Sequence, residues 1–276
     1  MKVLQNILQL YINSSIHVAF SCLALLKITQ MAFHISQQNA VGYFVFWGTI
    51  VAYNFVKYEE LARAKKIKKQ KQLRWIALFS FASLILVGYY FFLLERITQI
   101  VAMVFLGLTM LYTLPFFPNR KNARNWAGVK IYIVSFCWVG ATVLLPLLNA
   151  AVPLSVNIGV LSLQRFILIF VLILIFEIID LRNDNPNLRT VPQQIGVKHT
   201  KILGFVLLIL FCVLELINFN SNFNIEFLKL KLNFDIAVGI VTTLFLAFAN
   251  EKRTKYYTSF WVESIPIFWW VCIFCF

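Results

Sequence analysis

Charge is scarce in this chain. Of its 276 residues only 13% are charged, whereas 61% are apolar or aromatic. A soluble domain carries roughly twice that charged share, so a water-soluble globular enzyme is excluded. Acids are scarcer still: 11 Asp and Glu stand against 25 Lys and Arg, a net charge of +14. Histidine occurs only as His17, His34 and His199, too little to support a histidine metal centre. The five cysteines (Cys22, Cys137, Cys212, Cys272 and Cys275) all lie in apolar runs, and an odd count gives no disulfide framework. Cys272 and Cys275 form a C-x-x-C at the C-terminus, with no histidine or second cysteine pair beside it. They read as small membrane hydrophobes. Neither a Gly/Ser-rich linker nor an internal repeat divides the chain, so it reads as one domain, 1–276. The N-terminus lacks a basic region followed by a small-residue cleavage site, so the first apolar run is expected to be a retained span.

What is present in quantity is long apolar sequence. Segments fall at 7–29, 39–57, 75–93, 98–117, 130–150, 157–179, 201–219, 234–250 and 257–276. A bilayer-crossing helix needs about 20 residues, so the expected architecture is all-α, a polytopic membrane protein with nine transmembrane helices. The segments ending at 93 and starting at 98 are parted only by Glu95, Arg96 and their neighbours, which predicts a tight helical hairpin. With the N-terminus in the cytoplasm, every Lys and Arg except Lys27, Arg96, Arg165, Lys229 and Lys231 falls on the inner side. That asymmetry is the positive-inside pattern, and it places the C-terminus outside. The basic excess therefore describes orientation, and nucleic-acid binding need not be invoked. The run Glu59–Arg74 (EELARAKKIKKQKQLR) reads as a cytoplasmic loop touching anionic headgroups.

The few acids are informative one at a time. Glu177, Asp180 and Asp184 stand at i, i+3 and i+7 and share a helical face at the end of the sixth segment. Carboxylates this close to hydrocarbon are expensive and commonly mark ligand or ion sites. Asp180 and Asp184 can each give an oxygen to Mg2+, an ion usually held by one or two carboxylates plus substrate phosphate. Arg182, Arg189, Lys198 and Lys201 lie near in sequence and suit a phosphate-bearing ligand. The bland alternative is a helix end whose charges are simply solvated. Glu263, inside the ninth segment, needs a partner or water, and Glu215 reads as boundary charge near an outer helix end. His17 and the preceding Asn13-Ser14-Ser15 are expected to serve interhelical hydrogen bonding.

The D-x-x-x-D of Asp180 and Asp184, followed by Arg189-Thr190 and Gly196, resembles the second aspartate motif of the UbiA-type prenyltransferase superfamily. The stretch Leu111-Tyr112-Thr113-Leu114-Pro115, followed by basic residues and a span opening at Lys130, is similar to that family's middle segment. The resemblance implies a nine-helix bundle. It also implies that Asp180 and Asp184 hold Mg2+ and that Asn54 belongs to the catalytic set. Lys57, Arg182, Arg189, Lys130 and Tyr112 would contact the diphosphate. Tyr112, Tyr53 and Tyr58 would be first in line to shield an allylic cation. The family's first motif, N-D-x-x-D-x-x-x-D, is matched here only at Asn54, its aspartate positions being Phe55, Tyr58 and Ala62. Glu59 or Glu60 would then supply a displaced carboxylate, or Lys57 would meet the phosphate directly as a point cation.

The function so implied is transfer of an isoprenyl group from an isoprenoid diphosphate to a small acceptor, an aromatic quinone precursor among the candidates. Family distribution would place it in a bacterial inner membrane. Two other classes stand beside it. One is a non-catalytic relative that binds isoprenoid, lipid or a partner protein in the same cavity. The other is a small-solute transporter, disfavoured because no paired halves are seen.

Overall fold

The computed structural model describes residues 2–35, 39–63, 71–114, 128–184, 188–218 and 225–275. All regular structure among them is helical. In chain order the helices are α1 (Lys2–Asn13), α2 (Ile16–Ala32), α3 (Asn39–Arg63), α4 (Lys71–Phe91), α5 (Arg96–Thr113) and α6 (Val129–Val139). After α6 come α7 (Leu145–Asn149), α8 (Val156–Asp180), α9 (Val191–Asn218), α10 (Ile225–Phe248) and α11 (Ile265–Cys275). Two wide π-helical turns interrupt this order, at Gly140–Leu144 between α6 and α7 and at Tyr257–Val262 before α11.

Six of these segments are long and apolar enough to cross a membrane, and seven are if the bent pair α1–α2 is one span. The chain is an integral membrane protein. The expected count of nine is thus met only in part. Helices do form over 39–57 and 234–248, but α3 carries Asn39, Thr49, Asn54, Lys57 and Glu59 along its length, which lowers its apolarity. Over α10 the described apolar stretch is Leu232–Phe248.

Burial sorts the helices into centre and periphery. α8 is the hub, with 67% of its membrane-length window buried against 17% for α4 and 22% for α5. Its Leu168, Leu174, Ile175 and Ile178 are sealed from solvent, as are Leu25 and Leu26 of α2, Phe211 of α9 and Leu246 of α10. α4 and α5 instead expose Leu78, Phe81, Ile85, Ile100, Met103 and Val104. On a water-soluble monomer such a continuous apolar face would be an association site; facing lipid it is the ordinary exterior. The expected α4–α5 hairpin is present. In hydrocarbon its backbone groups must be satisfied within the protein, and Gln99 Nε2 donates to the carbonyls of Phe91 (3.0 Å) and Leu94 (3.1 Å). Asn149 Oδ1 accepts the Glu95 N–H at 3.0 Å.

Two local features depart from straight spans. The first segment does not run unbroken over 7–29: α1 and α2 meet at 59°, with Ser15 in the left-handed region at φ 62°. The break is held from α3, where Asn54 Nδ2 donates to the Ser14 carbonyl and its Oδ1 accepts from the Ser15 hydroxyl, while the Ser14 hydroxyl bonds the Tyr11 carbonyl. The second is Gly196, which at φ 77° and ψ 158° breaks α9 one turn after its start. Only glycine occupies that region cheaply, so Gly196→Ala is expected to destabilise the protein by about 1–3 kcal/mol. A lowered thermal midpoint in detergent, with the wild-type helix content retained below it, is the readout. At Gly140, a Cβ would land on the Phe105 ring, so the π turn packs backbone directly against α5.

Candidate functional site

The C-terminal end of α8 carries the acids singled out above. Glu177 is 3% exposed, and its Oε2 accepts the Val191 N–H at 3.1 Å. A carboxylate on the first amide of α9 satisfies an orphan donor and complements the helix dipole. Glu177 therefore ties α8 to α9. Asp180 and Asp184 follow Glu177 by three and seven residues, and both are partly buried. The Asp184 N–H bonds the Asp180 carbonyl at 2.9 Å, continuing one more turn beyond α8 and stacking the two carboxylates. Asp180 has Asp184, Lys130 and Lys255 as its electrostatic neighbours. Lys130 opens α6 and Lys255 precedes the second π turn, so three separate parts of the fold converge here.

Two polar atoms in this region are buried without a hydrogen-bond partner among the described residues: Asp184 Oδ2 and Thr190 Oγ1. Buried polar atoms are nearly always paired, and an exception calls for an explanation such as an ion or ligand. Arg189 stands at φ 46°, a left-handed conformation that a non-glycine residue adopts only when its surroundings hold it. The Gln194 side-chain amide donates to its carbonyl.

A second polar cluster forms at the α1–α2 break. Asn54, 3% exposed, donates through Nδ2 to the Ser14 carbonyl (3.0 Å) and Ser80 Oγ (2.8 Å), and its Oδ1 accepts from Ser15 Oγ (2.8 Å). The Lys57 ammonium donates to that same Ser15 Oγ at 3.0 Å. Asn54 thus holds the break, and the break holds Lys57. Glu263, half-buried just after the second π turn, is the electrostatic partner of Lys57. Its own backbone carbonyl is anchored by the Ser21 hydroxyl. His17 does the interhelical work expected of it. Its Nε2–H donates to the Phe260 carbonyl at 2.9 Å, and its Nδ1 accepts from Tyr11 OH at 3.0 Å.

Both clusters lie at one end of the bundle. Lys255, beside Asp180, and Glu263, beside Lys57, are eight residues apart on one segment. At helical rise that is about 12 Å. The aromatic candidates separate into groups. Tyr112 is 5% exposed, and Tyr53 receives the Trp138 indole N–H at 2.8 Å, so these belong to the interior near Glu263. Tyr58 instead donates to the Asn13 carbonyl at 2.8 Å and braces the helix break. Arg182 points away, pairing with Glu251 at 3.0 Å on the exposed side, while Arg189 is exposed at the loop. Glu59 has partners of its own, and Glu60 and Ala62 carry side chains outside the described residues.

Sequence reasoning did not assemble Lys57 with Glu263 or Asp180 with Lys255, because each pair is distant in the chain. It also misplaced Glu215. That residue is no boundary charge: it is 2% exposed, and its Oε2 accepts from Gln164 Nε2 at 2.9 Å. Next to Gln164, Arg165 is 1% exposed, held by Thr29 Oγ1 (3.5 Å) and the Trp269 face (5.4 Å), with Asp235 as electrostatic partner. Counting Arg165 as an outer-side cation missed this polar layer. It lies 15 residues before Asp180 on α8, about 22 Å along the helix.

Among the described residues no group of three or more His, Cys, Asp and Glu side chains is placed to hold a metal by itself. Mg2+ does not require one, since it retains waters and binds through one or two carboxylates plus substrate phosphates. Asp180 and Asp184, the latter with an unpartnered buried oxygen, fit that open arrangement.

No protein-family model matches the chain, and no curated protein sequence does so significantly. Solved structures do. A UbiA homolog from Archaeoglobus fulgidus bound to GPP and Mg2+ aligns with a TM-score of 0.65 and 15% identity, covering 96% of this chain and 98% of that one. The same homolog bound to DMAPP and Mg2+ gives the same values. A digeranylgeranylglyceryl phosphate synthase aligns with a TM-score of 0.58 and 16% identity, over 100% of this chain and 97% of that one. The resemblance carried by Asp180, Asp184 and Gly196 is matched at the level of architecture, and the chain has the UbiA-type prenyltransferase fold over nearly its whole length.

Proposed function

We propose that the chain is a prenyltransferase, moving an isoprenyl group from an isoprenoid diphosphate to a small acceptor at the end of the bundle that carries Asp180 and Asp184. The observation that carries this reading is the pair of buried oxygens without a partner among the described residues, Asp184 Oδ2 and Thr190 Oγ1, beside Asp180. Support comes from solved structures of the same fold that hold GPP or DMAPP with Mg2+. Asp180 and Asp184 would hold Mg2+, which when bound neutralises charge on the departing diphosphate.

The protein's own groups do the rest. Lys130 and Lys255 flank the carboxylates and balance their charge, so a diphosphate arriving with its cation meets a site near neutrality. Lys57, held by Ser15 and facing Glu263 electrostatically, is the point cation next to Tyr58, one of the positions where the family's first motif has an aspartate. Asn54 acts through Ser15 to position it. In this reaction the carbon–oxygen bond to diphosphate breaks with its electron pair on the leaving group. The allylic carbon then bonds the acceptor, which loses a proton. Tyr53, Trp138 and Tyr112 line the interior next to Glu263, where their faces would shelter the cationic carbon by about 0.5–2 kcal/mol each. We further read nine crossings in one domain, this mouth and the N-terminus in the cytoplasm, the C-terminus outside, and residence in a bacterial inner membrane.

Labelled isoprenoid diphosphates and an acceptor panel, with and without Mg2+, test the reading: product is expected only with the metal. The replaced aspartates Phe55, Tyr58 and Ala62 favour one competing reading, a protein that binds isoprenoid without turnover; saturable binding with no product across the panel would establish it. Lys57→Met separates binding from chemistry. Hydrogen bonds to charged groups contribute about 1.5–3 kcal/mol, so KM for the diphosphate is expected to rise tenfold or more, with kcat changed much less.

A further inference from the structure

The end of the bundle opposite the aspartates contains a cavity of about 820 Å3 between α2, α3 and α11. Its volume falls within the range of ligand pockets, about 300–1,000 Å3. Asn39 marks this end of α3, and Lys57 lies 18 residues further along the same helix, about 27 Å away by helical rise. The diphosphate end of the proposed prenyl-transfer site therefore lies well away from it.

Three observations define what the cavity would take. Gln30 lines its wall and is 2% exposed, yet neither Nε2 nor Oε1 of its side chain has a hydrogen-bond partner among the described residues. An amide sealed in this way costs free energy unless something else bonds it. Lys27, one turn earlier on α2, is the only formally charged side chain among the described lining residues, and no acid is among them. Asn39 and Tyr43 add further donors, while Trp270 and Phe274 supply an apolar wall that continues to the lipid-facing surface, where Phe274 is 65% exposed. Chain neighbours of the lining residues, Thr29 and Trp269, hold the buried Arg165 guanidinium, whose Nη1 is also unpartnered.

A cation and amide donors at one side, no acid, and aromatic walls leading to the bilayer suit an amphiphile with an anionic head. We propose that this cavity binds an anionic phospholipid, its phosphate held by Lys27 and Gln30 and its acyl chain against Trp270 and Phe274. A zwitterionic lipid brings the same phosphate but also a quaternary ammonium that Lys27 repels, and a soluble phosphate gains nothing from the apolar wall.

The test uses the purified full chain in detergent with phosphatidylglycerol or phosphatidylcholine brominated on the acyl chains. Quenching of the Trp270 share of tryptophan fluorescence is read by difference from Trp270→Phe. Phosphatidylglycerol is expected to quench at a mole fraction about tenfold lower than phosphatidylcholine, and Lys27→Ala should erase that preference. Inorganic phosphate in millimolar excess should leave the quenching unchanged; displacement by phosphate alone would overturn the assignment in favour of a soluble anion. Gln30→Leu should weaken phosphatidylglycerol binding while raising the thermal midpoint of the lipid-free protein, because the unpaired amide is gone. A lowered midpoint with lipid preference intact would make Gln30 a structural residue and overturn its role. Equal quenching by both lipids would overturn the proposal as a whole. None of these readouts depends on prenyl transfer, so the two readings stand or fall separately.

Discussion

Asp180→Asn and Asp184→Asn are each expected to lower the rate of Mg2+-dependent prenyl transfer by about 10²–10³-fold, the usual loss when one group stabilising developing charge is removed. Asparagine keeps the size and the neutral acceptor oxygen but removes the charge that draws the cation. The two substitutions should differ in their effect on the fold. Asp184 Oδ2 has no partner to lose among the described residues, so Asp184→Asn should leave the thermal midpoint near wild type. Asp180 sits among Lys130, Lys255 and Asp184, and its neutralisation shifts a balanced cluster, giving a small change of either sign. Their combination should not multiply the losses, because residues that act as a unit are strongly non-additive. Glu177→Gln is the contrasting control. Its carboxylate is engaged by the Val191 N–H, so its loss should appear first in stability and only secondarily in rate.

The largest expected effect on stability lies elsewhere, in the buried layer of α8, α9 and α10. Arg165→Met removes a guanidinium that is 1% exposed and takes one cation from the electrostatic surroundings of Asp235, which keeps the Trp269 indole N–H at 2.9 Å. The cost is expected to approach the roughly 3–5 kcal/mol of a buried ion pair broken from one side, in so far as the two buried charges depend on each other. The double variant Arg165→Met/Asp235→Asn removes both charges and should recover most of that loss. Chemical or thermal unfolding in detergent, read as a double-mutant cycle, gives the coupling directly. A double variant as unstable as Arg165→Met would show that the guanidinium acts through packing on Trp269 rather than through its charge.

What the sequence disclosed, it disclosed through scarcity. Asp180 and Asp184 were conspicuous because so few acids occur near an apolar run, and the helical segments were legible because their length matches a bilayer. The α4–α5 hairpin followed from two apolar runs with almost nothing between them. The α1–α2 break was harder. No proline or glycine marks it, and the polar Asn13-Ser14-Ser15 becomes a 59° bend only because Asn54, Lys57 and Tyr58 of α3 stand opposite to take its bonds. Glu215 was misread because its distance from a segment end was taken as its depth. α9 runs on to Asn218, and Gln164 meets Glu215 from another helix. The π turn at Tyr257–Val262, which carries Glu263 toward Lys57, has no sequence signature at all. The shortfall from nine spans has the same origin as the site: the polar residues of α3 that reduce its apolarity are those that build the Asn54–Lys57 cluster.

The central claim is that Asp180 and Asp184 form a metal-dependent diphosphate site, and equilibrium binding tests it without requiring the acceptor. A labelled isoprenoid diphosphate is titrated into the purified protein in chelator and then in millimolar Mg2+. The account predicts at least tenfold tighter binding with Mg2+, and loss of that gain in Asp180→Asn and Asp184→Asn. Binding of equal strength with and without the metal, unchanged in both variants, would contradict it.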